Sequence, residues 1–277
     1  MENIPLADNF HDVIGKAQRG LKLSDAALAK SAEMSVASLE KIKSGEFDEV
    51  LVGKISSPLH LAAKPLLALG RKNWYPPPHE VEGLACFNTT YEDMMVNSYL
   101  IFDPQTREAA IFDTGADASV LVKFAEKNNL QIKLILLTHT HVDHVADLEN
   151  LKKATSAPAH VCELESFSEA EPFRAGKVFS LGHLKIETRQ TSGHARGGIT
   201  YVISGLKKPV AITGDAIFCC SMGGGMISFE EALRTNRKEI FTLADETILC
   251  PGHGPLTTVG EQKLHNPFFP EFKMRAA

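Results

Sequence analysis

The amino-acid sequence predicts an α/β domain preceded by a small all-α helical unit. The boundary lies in "NWYPPPHE", residues 73–80, because three consecutive prolines exclude a helix interior and favour an extended linker. Before the prolines, apolar residues recur at helical spacing without strand-like alternation. After them, short β-rich runs alternate with helical stretches, as in α/β domains. We therefore predict a helical domain over 1–72, a linker over 73–80 and an α/β domain over 81–277.

The helical unit contains "LKLSDAALAKSAEMSVASLEKIKSGE", residues 21–46, which predicts two helices joined by a short turn. Ser24 and Ser35 are suited to cap the N-termini of these helices, and Gly45 is suited to end the second. Apolar residues at helical spacing are expected to line the inside of a small bundle: Leu23, Ala27, Leu28, Val36, Leu39 and Ile42.

The segment after the linker supplies strands and helices in alternation. The predicted strands are "MMVNSYLIF", "AAIFDT", "LILLT", "GITYVISG" and "PVAITGD". The predicted helices are "ASVLVKFAEKNN", "DLENLKKA" and "SFEEALRTNRKEIFTLA".

The composition is typical of a globular protein. Of the 277 residues, 44% are hydrophobic, which is enough for one sizeable core and a small second unit. No apolar run approaches the roughly 18 to 20 residues of a membrane span, and "MENIPLADNFHDVIGK" lacks the pattern of a secretory signal. We expect a cytoplasmic protein with no membrane partner. The five cysteines show no CxxC spacing, so neither a disulfide framework nor a zinc knuckle is indicated.

The stretch "LLTHTHVDHVADL", residues 136–148, places three histidines and an aspartate within six positions. The strand "KLILLT" is predicted to end at Thr138, so the cluster follows a strand end, where α/β folds usually carry their chemistry. In an extended segment His139 and His141 point the same way, whereas Asp143 and His144 begin a helix and turn elsewhere. A solvated loop without a function would rarely concentrate these residue types, so we predict a metal site.

Three further candidates each follow an apolar or β-like run. They are His194 in "TSGHARGG", Asp215 in "AITGD" and His253 in "LCPGHG". Neutral imidazoles and carboxylates suit a divalent ion such as zinc, and no cysteine stands at these strand ends to form a closed structural thiolate site. The set therefore predicts a catalytic metal site.

These motifs resemble those of the metallo-β-lactamase superfamily. "HTHVDH" matches its HxHxDH motif, and "SGH", "GD" and "PGHG" match its later metal-binding motifs in order, over about residues 84 to 277. The resemblance implies an αββα sandwich as the catalytic domain, with two divalent metal ions. Zinc is the first candidate, and iron and manganese are the alternatives. It also implies that His139, His141 and His194 bind one ion, that Asp143, His144 and His253 bind the other, and that Asp215 bridges them.

The intact motif set is more similar to the glyoxalase II group than to the β-lactamases. The resemblance implies hydrolysis of a small ester or thioester by a metal-bound hydroxide, with Asp143 serving as a metal ligand and a catalytic orienter of water. A thiolate leaving group needs no strong general acid, because a thiol has a pKa near 8.5. The loop "AIFCCSMGGGMIS" departs from the Gly-Arg pair frequent in that group, and only 24 residues follow His253. Both departures weaken the case for glutathione as the carrier.

Two alternatives stay open. The chain also resembles mononuclear iron persulfide dioxygenases. That resemblance implies that only His139, His194 and Asp215 are metal ligands. Alternatively, the chain is a transcriptional regulator whose metal-binding domain senses a ligand, since residues 21–46 resemble the helix-turn-helix of Cro/repressor-like domains. The turn of that motif usually carries glycine where this chain has Glu33, which indicates a left-handed backbone at this position. DNA binding of this kind predicts a homodimer.

Charge weighs against nucleic acid as a partner. Residues 76–277 contain 19 Lys and Arg against 25 Asp and Glu, a net charge of −6 that would repel phosphate chains. In the second predicted helix of the N-terminal unit, only Lys41 and Lys43 are cations. A small molecule is therefore the expected partner, and DNA is a second candidate with weak electrostatic support.

Overall fold

The protein folds as two six-stranded sheets packed face to face and covered by helices on both outer sides, as a computed structural model shows. The structure describes residues 4–165 and 167–275. The helices are α1 (Phe10–Gly20), α2 (Asp25–Ser31), α3 (Val36–Lys43), α4 (Glu49–Ser56), α5 (Ala63–Gly70), α6 (Ser119–Lys127), α7 (Val142–Val145), α8 (Leu148–Thr155), α9 (Phe229–Thr235) and α10 (Val259–His265). A π-helical turn, Asn236–Ile240, continues α9, and a 3-10 helix covers Pro270–Arg275.

The strands divide between the two sheets in chain order. The first sheet has the order β1 (Leu84–Tyr91), β2 (Met94–Phe102), β3 (Glu108–Phe112), β4 (Gln131–Leu136), β5 (Ala159–Cys162) and β6 (Glu171–Phe173). The second has the order β12 (Thr257–Thr258), β11 (Ile248–Pro251), β10 (Val210–Gly214), β9 (Ile199–Ser204), β8 (Leu184–Gln190) and β7 (Val178–Leu181). Strands β3 to β6 pair in parallel, as do β10 and β11.

Three apolar clusters define the layers. One lies between the sheets and includes Tyr99, Phe112 and Tyr201. A second joins the outer face of the first sheet to α6 and α8. The third joins the outer face of the second sheet to the N-terminal helices. This layering confirms the predicted αββα sandwich preceded by helices.

The N-terminal helices follow the predicted caps. The backbone amides of Ala27 and Ser38 donate hydrogen bonds to the hydroxyls of Ser24 and Ser35 at the starts of α2 and α3. Gly45 ends α3 with a φ of +99°. Glu33, in the turn between α2 and α3, has a φ of +51°, so it takes the left-handed conformation for which glycine is preferred.

The predicted bundle interior is partly wrong. Leu28, Leu39 and Ile42 are buried, but Ala27 is exposed and Val36 retains 40% of its accessible surface. Both exposed residues lie in the first turn of short helices, where the burying face is narrower than the sequence pattern suggests.

The proline-containing segment, residues 73–80, forms neither helix nor strand, and it packs on the rest of the protein. Trp74 stacks on His265 with ring centroids 3.8 Å apart, and His79 Nε2 lies 2.9 Å from Glu261 Oε2, so the segment runs along α10.

Cys219 and Cys220 are buried as packed side chains. Within the part of the chain that the structure describes, no helix combines the length and apolar character needed to cross a membrane.

Candidate metal centre

All seven predicted ligands meet at one edge of the sandwich. His139 and His141 lie in the loop after β4, which ends at Leu136, two residues before the predicted end. Asp143 and His144 lie in α7, the short helix that follows. The others come from three loops of the second sheet: His194 between β8 and β9, Asp215 directly after β10, and His253 after β11.

The nitrogen atoms of His139, His141 and His194 converge. His141 Nδ1 lies 3.0 Å from His139 Nε2 and 2.9 Å from His194 Nε2. Unprotonated ring nitrogens repel one another at such distances unless a proton or a cation lies among them. These three atoms lie close enough together to hold one cation, and we call them the first donor set.

Asp143, His144 and His253 form a second donor set beside the first. Asp143 Oδ2 lies 3.3 Å from His253 Nε2 and 3.5 Å from His144 Nε2. Asp215 lies between the sets, because its Oδ2 is 3.3 Å from His194 Nε2 and 3.5 Å from His253 Nε2. Asp215 Oδ2 is therefore close to a nitrogen atom of each donor set.

The outer nitrogens of two histidines are held by backbone carbonyls. His253 Nδ1 donates to the carbonyl oxygen of Met95 at 2.7 Å, and His194 Nδ1 donates to that of Gly224 at 2.9 Å. Each bond keeps a proton on Nδ1, so Nε2 is the nitrogen that faces the site and can bind a cation.

Asp113 orients a third histidine, and the sequence analysis did not single it out. Its carboxylate accepts hydrogen bonds from His144 Nδ1 at 2.8 Å, and from the backbone amide and hydroxyl of Thr138, both at 2.7 Å. Asp113 directly follows β3 in "AAIFDT", so it ends a strand as the metal ligands do. That shared position was the signal that could have identified it.

The residues fit a divalent cation. Nε2 of His144 and Oδ1 of Asp215 face each other at 3.2 Å and are buried, but neither makes a hydrogen bond within the described residues, although buried polar atoms normally do. The space around them is also tightly defined. A Cβ atom on Gly252 would lie 2.1 Å from Asp215 Oδ1, so the "PGHG" loop can approach the aspartate only with glycine there.

The electrostatics of the two donor sets differ. Burial lowers the pKa of His139 well below its usual value, and burial also lowers that of His194. For His253, burial opposes protonation, but Asp215 and Asp143 outweigh it and raise the pKa to about 10. For His144, Asp215 and Asp113 likewise outweigh burial and raise the pKa well above its usual value. His144 and His253 of the second set therefore hold a proton more strongly than His139 and His194 of the first.

Exposed apolar side chains come from the same loops that carry the ligands. Val142, between His141 and Asp143, is 61% exposed. Met226 and Ile227 are also exposed, and the amide of Ile227 donates to the carbonyl oxygen of Gly193, beside His194. Met94 and Met95 are exposed at the start of β2. The surroundings of the ligands thus present apolar surface to solvent.

The family of the chain follows from comparison with known proteins. The family model described as Metallo-beta-lactamase superfamily matches residues 91–253, which is more than half of the chain. The chain belongs to this superfamily. It is accordingly a metal-binding, hydrolase-like protein.

Two relatives resemble the chain over most of their own length. The chain is 29% identical over 197 residues to "Hydroxyacylglutathione hydrolase GloC" of Haemophilus influenzae, an alignment covering 62% of this chain and 92% of the relative. It is 27% identical over 201 residues to a probable metallo-hydrolase of Streptococcus pyogenes serotype M6, covering 62% and 85%.

Solved structures share the fold. "BLEG-1 B3 metallo-beta-lactamase" is 25% identical, with a TM-score of 0.58, and the match covers 67% of this chain and 99% of that one. "ETHE1 from Myxococcus xanthus" is 24% identical, with a TM-score of 0.59, covering 68% and 85%. At this identity the second likeness concerns the fold alone.

Proposed function

We propose that the protein hydrolyses a small thioester or ester with two divalent cations, zinc first among them, bound at the seven ligands. The observation that carries the proposal is the convergence of two donor sets on the shared carboxylate of Asp215. The likeness to a hydroxyacylglutathione hydrolase supports the thioester class. A site for one cation would need only part of this set.

Several residues of the chain orient the histidine rings of the site. Cations bound here would lower the pKa of a coordinated water from about 15.7 toward 7 and polarise the substrate carbonyl. Asp113 and the carbonyl oxygens of Met95 and Gly224 keep the imidazoles aimed at the site. This preorganisation removes the cost of arranging the ligands during the reaction.

Asp143 acts as an acceptor in this scheme. Burial alone would raise its pKa, but the hydrogen bond from His253 and the neighbouring His144 outweigh burial and lower it. An ionised carboxylate cannot protonate a leaving group, so it holds a ligand position and orients the water through its remaining lone pairs. A leaving thiolate, with a conjugate pKa near 8.5, departs without a strong general acid.

The exposed apolar residues beside the ligands indicate which substrates to test. The side chains of Val142, Met226 and Ile227 are exposed to water. An aliphatic or aromatic group of a substrate that covered them would be stabilised by the burial of apolar surface. We therefore expect thioesters with an apolar acyl or thiol part to be hydrolysed better than polar ones.

Metal content and a substrate panel test the proposal. The purified protein should bind two equivalents of zinc and cleave members of a panel of thioesters and esters, including S-lactoylglutathione. Asp215→Asn, which keeps the shape of the side chain, is the matched inactive variant. A two-zinc protein that cleaves no member of the panel would contradict the hydrolase. One iron per chain with oxygen uptake on glutathione persulfide would instead support the dioxygenase.

A further inference from the structure

The N-terminal helices lie outside the segment that matches the superfamily, yet they pack beside the metal centre. The family match begins at residue 91, after all five N-terminal helices. Phe10, Val13 and Ala17 of α1 nevertheless belong to one apolar cluster with buried residues that follow Asp215. This raises the question of what the helices contribute to the site.

The connecting segment is the loop that follows β10, which we call the Asp215 loop, residues 216–226. Cys219, Ser221 and Met222 in this loop are fully or almost fully buried. The loop therefore does not move freely over the surface. It runs between the N-terminal helices on one side and the metal ligands on the other.

A buried ion pair of the N-terminal unit holds this loop. Lys16 Nζ in α1 lies 2.5 Å from Asp8 Oδ2 and donates a second hydrogen bond to the carbonyl oxygen of Met222 at 2.9 Å. The hydroxyl of Ser221 donates to the same Asp8 oxygen at 2.5 Å. Only 15% of the Lys16 side chain and 10% of the Asp8 side chain remain exposed. Because both charges are largely removed from water, breaking one of them leaves the other without compensation.

The same loop reaches a metal ligand two residues later. The amide of Gly223 donates to the carbonyl oxygen of Asp215 at 3.1 Å, and the carbonyl oxygen of Gly224 accepts from His194 Nδ1 at 2.9 Å. A Cβ atom on Gly223 would lie 2.0 Å from the Asp215 carbonyl oxygen and 2.8 Å from His194 Nδ1. A small displacement of the loop would therefore move the group that orients His194.

A second contact leads from Lys16 to another ligand. Its ammonium group lies 4.9 Å from the centre of the Phe218 ring, and that ring meets His253 edge to face at 5.5 Å. The N-terminal segment also approaches the loop of His253 directly, since a Cβ on Gly254 would be 3.0 Å from the amide nitrogen of Ala7. Each donor set therefore has one ligand, His194 or His253, that contacts a residue held by the N-terminal unit.

We propose that Asp8 and Lys16 are positioning residues of the metal centre. They fix Ser221 and Met222, and through them the Gly224 carbonyl that sets the ring of His194. The proposal rests on metal binding at the seven ligands and requires no particular substrate. It makes the N-terminal unit a structural part of the site.

Metal affinity and a spectrum of the bound ion test this in the full-length protein. Zinc affinity is measured by competition with a chromophoric chelator, and the ligand field by visible absorption of the cobalt(II)-loaded protein. Lys16→Met should weaken zinc binding about tenfold, the low end of the range for residues that support metal ligands, and should shift the cobalt bands. Lys16→Arg retains the cation and should restore both.

A matched control comes from the same helical unit. Lys43 Nζ pairs with Asp25 Oδ1 at 2.7 Å, an ion pair between α3 and α2 that is more exposed than the Lys16–Asp8 pair and lies away from the Asp215 loop. Lys43→Met should leave the zinc affinity and the cobalt spectrum as in the wild type. Thermal unfolding of each variant reports any general loss of stability.

The outcomes separate the two claims. A Lys16→Met protein with wild-type zinc affinity and cobalt bands but a lower melting temperature would overturn the positioning role and leave the metallohydrolase standing. A wild-type protein that binds no metal at the seven ligands would overturn the proposed function as well. If Lys16→Met does not fold, Ser221→Ala removes one hydrogen bond to Asp8 and keeps the ion pair. It should weaken zinc binding in the same direction by a smaller factor, and an unchanged affinity would count against the proposal.

Discussion

The metal centre and the N-terminal helical unit are built from different interactions. In the metal centre, seven polar side chains converge within a few ångströms, and their positions depend on hydrogen bonds such as those accepted by Asp113. In the N-terminal unit, apolar residues such as Ile14 and Leu28 form a cluster shared with the second sheet. The buried ion pair of Lys16 and Asp8 connects this unit to the Asp215 loop. The first region is therefore sensitive to charge and geometry, and the second to volume.

The largest effect is expected at the ligand shared by both donor sets. Asp215→Asn keeps the volume but removes the charge facing His144, His194 and His253. We expect zinc stoichiometry to fall below two and kcat/KM to fall by more than about 100-fold, beyond the usual effect of a supporting residue. Metal analysis and thioester hydrolysis measure this. Asp103→Asn, at a buried carboxylate bonded to His183 outside the metal centre, is the control and should retain the metal.

The next effect tests the apolar side of the comparison. Ile14 in α1 is fully buried in the shared cluster. Ile14→Ala should lower the free energy of unfolding by about 2 to 5 kcal/mol, because a cavity replaces buried carbon. Denaturant titration should show one transition by circular dichroism that coincides with loss of the cobalt absorption. Two separated transitions would mean that the helices unfold independently of the sandwich.

The next smaller effect is expected at Asp113, whose carboxylate orients the ring of His144 through a hydrogen bond. Asp113→Asn keeps the shape but cannot accept from His144 Nδ1 and from Thr138 as a carboxylate does. We expect zinc affinity to fall about 10- to 100-fold with little loss of folding stability. Chelator competition measures the affinity, and an unchanged value would show that the ring of His144 is held by packing alone.

The two donor sets should differ in their dependence on pH. In the cation-free protein, Asp215 and Asp143 raise the pKa of His253 to about 10, so it carries a proton at pH 7 that a cation must displace. The pKa values of His139 and His194 are lowered by burial, so these two ligands carry no such proton at pH 7. Between pH 6 and 8 zinc should bind to the second donor set about tenfold more tightly per pH unit for each proton released. Calorimetry in buffers of different ionisation enthalpy counts these protons, and equal release by both equivalents would contradict the difference.

The smallest effect is expected for DNA. In α3, Lys43 is paired with Asp25, so Lys41 remains as the exposed cation of that helix. With so few cations facing outward, counterion release gives little binding energy. We expect no gel shift with the upstream region of the gene at 50 mM salt. A shift that is lost in Lys41→Glu would restore the regulator as a candidate.

Local chemistry in the sequence was sufficient for much of this protein. The caps at Ser24 and Ser35, the left-handed position of Glu33 and the strand "MMVNSYLIF" depend on a few neighbouring residues, so their structure could be predicted. The ligand motifs were also evident, because each motif comes soon after an apolar or β-like run. Burial was less predictable, since the exposed Val36 and Ala27 fit the helical spacing as well as their buried neighbours do.

The tertiary structure decided how these pieces meet. No local pattern connects Lys16 with Met222, which are 206 positions apart, or His253 with the carbonyl of Met95, 158 positions away. Such contacts depend on how the two sheets pack together and on how the N-terminal helices pack against the second sheet. The sequence by itself determined which residues could bind a metal and where the strands that carry them would end. Only the packed structure determined how each ligand is oriented, because orientation is set by hydrogen-bond partners that are distant along the chain.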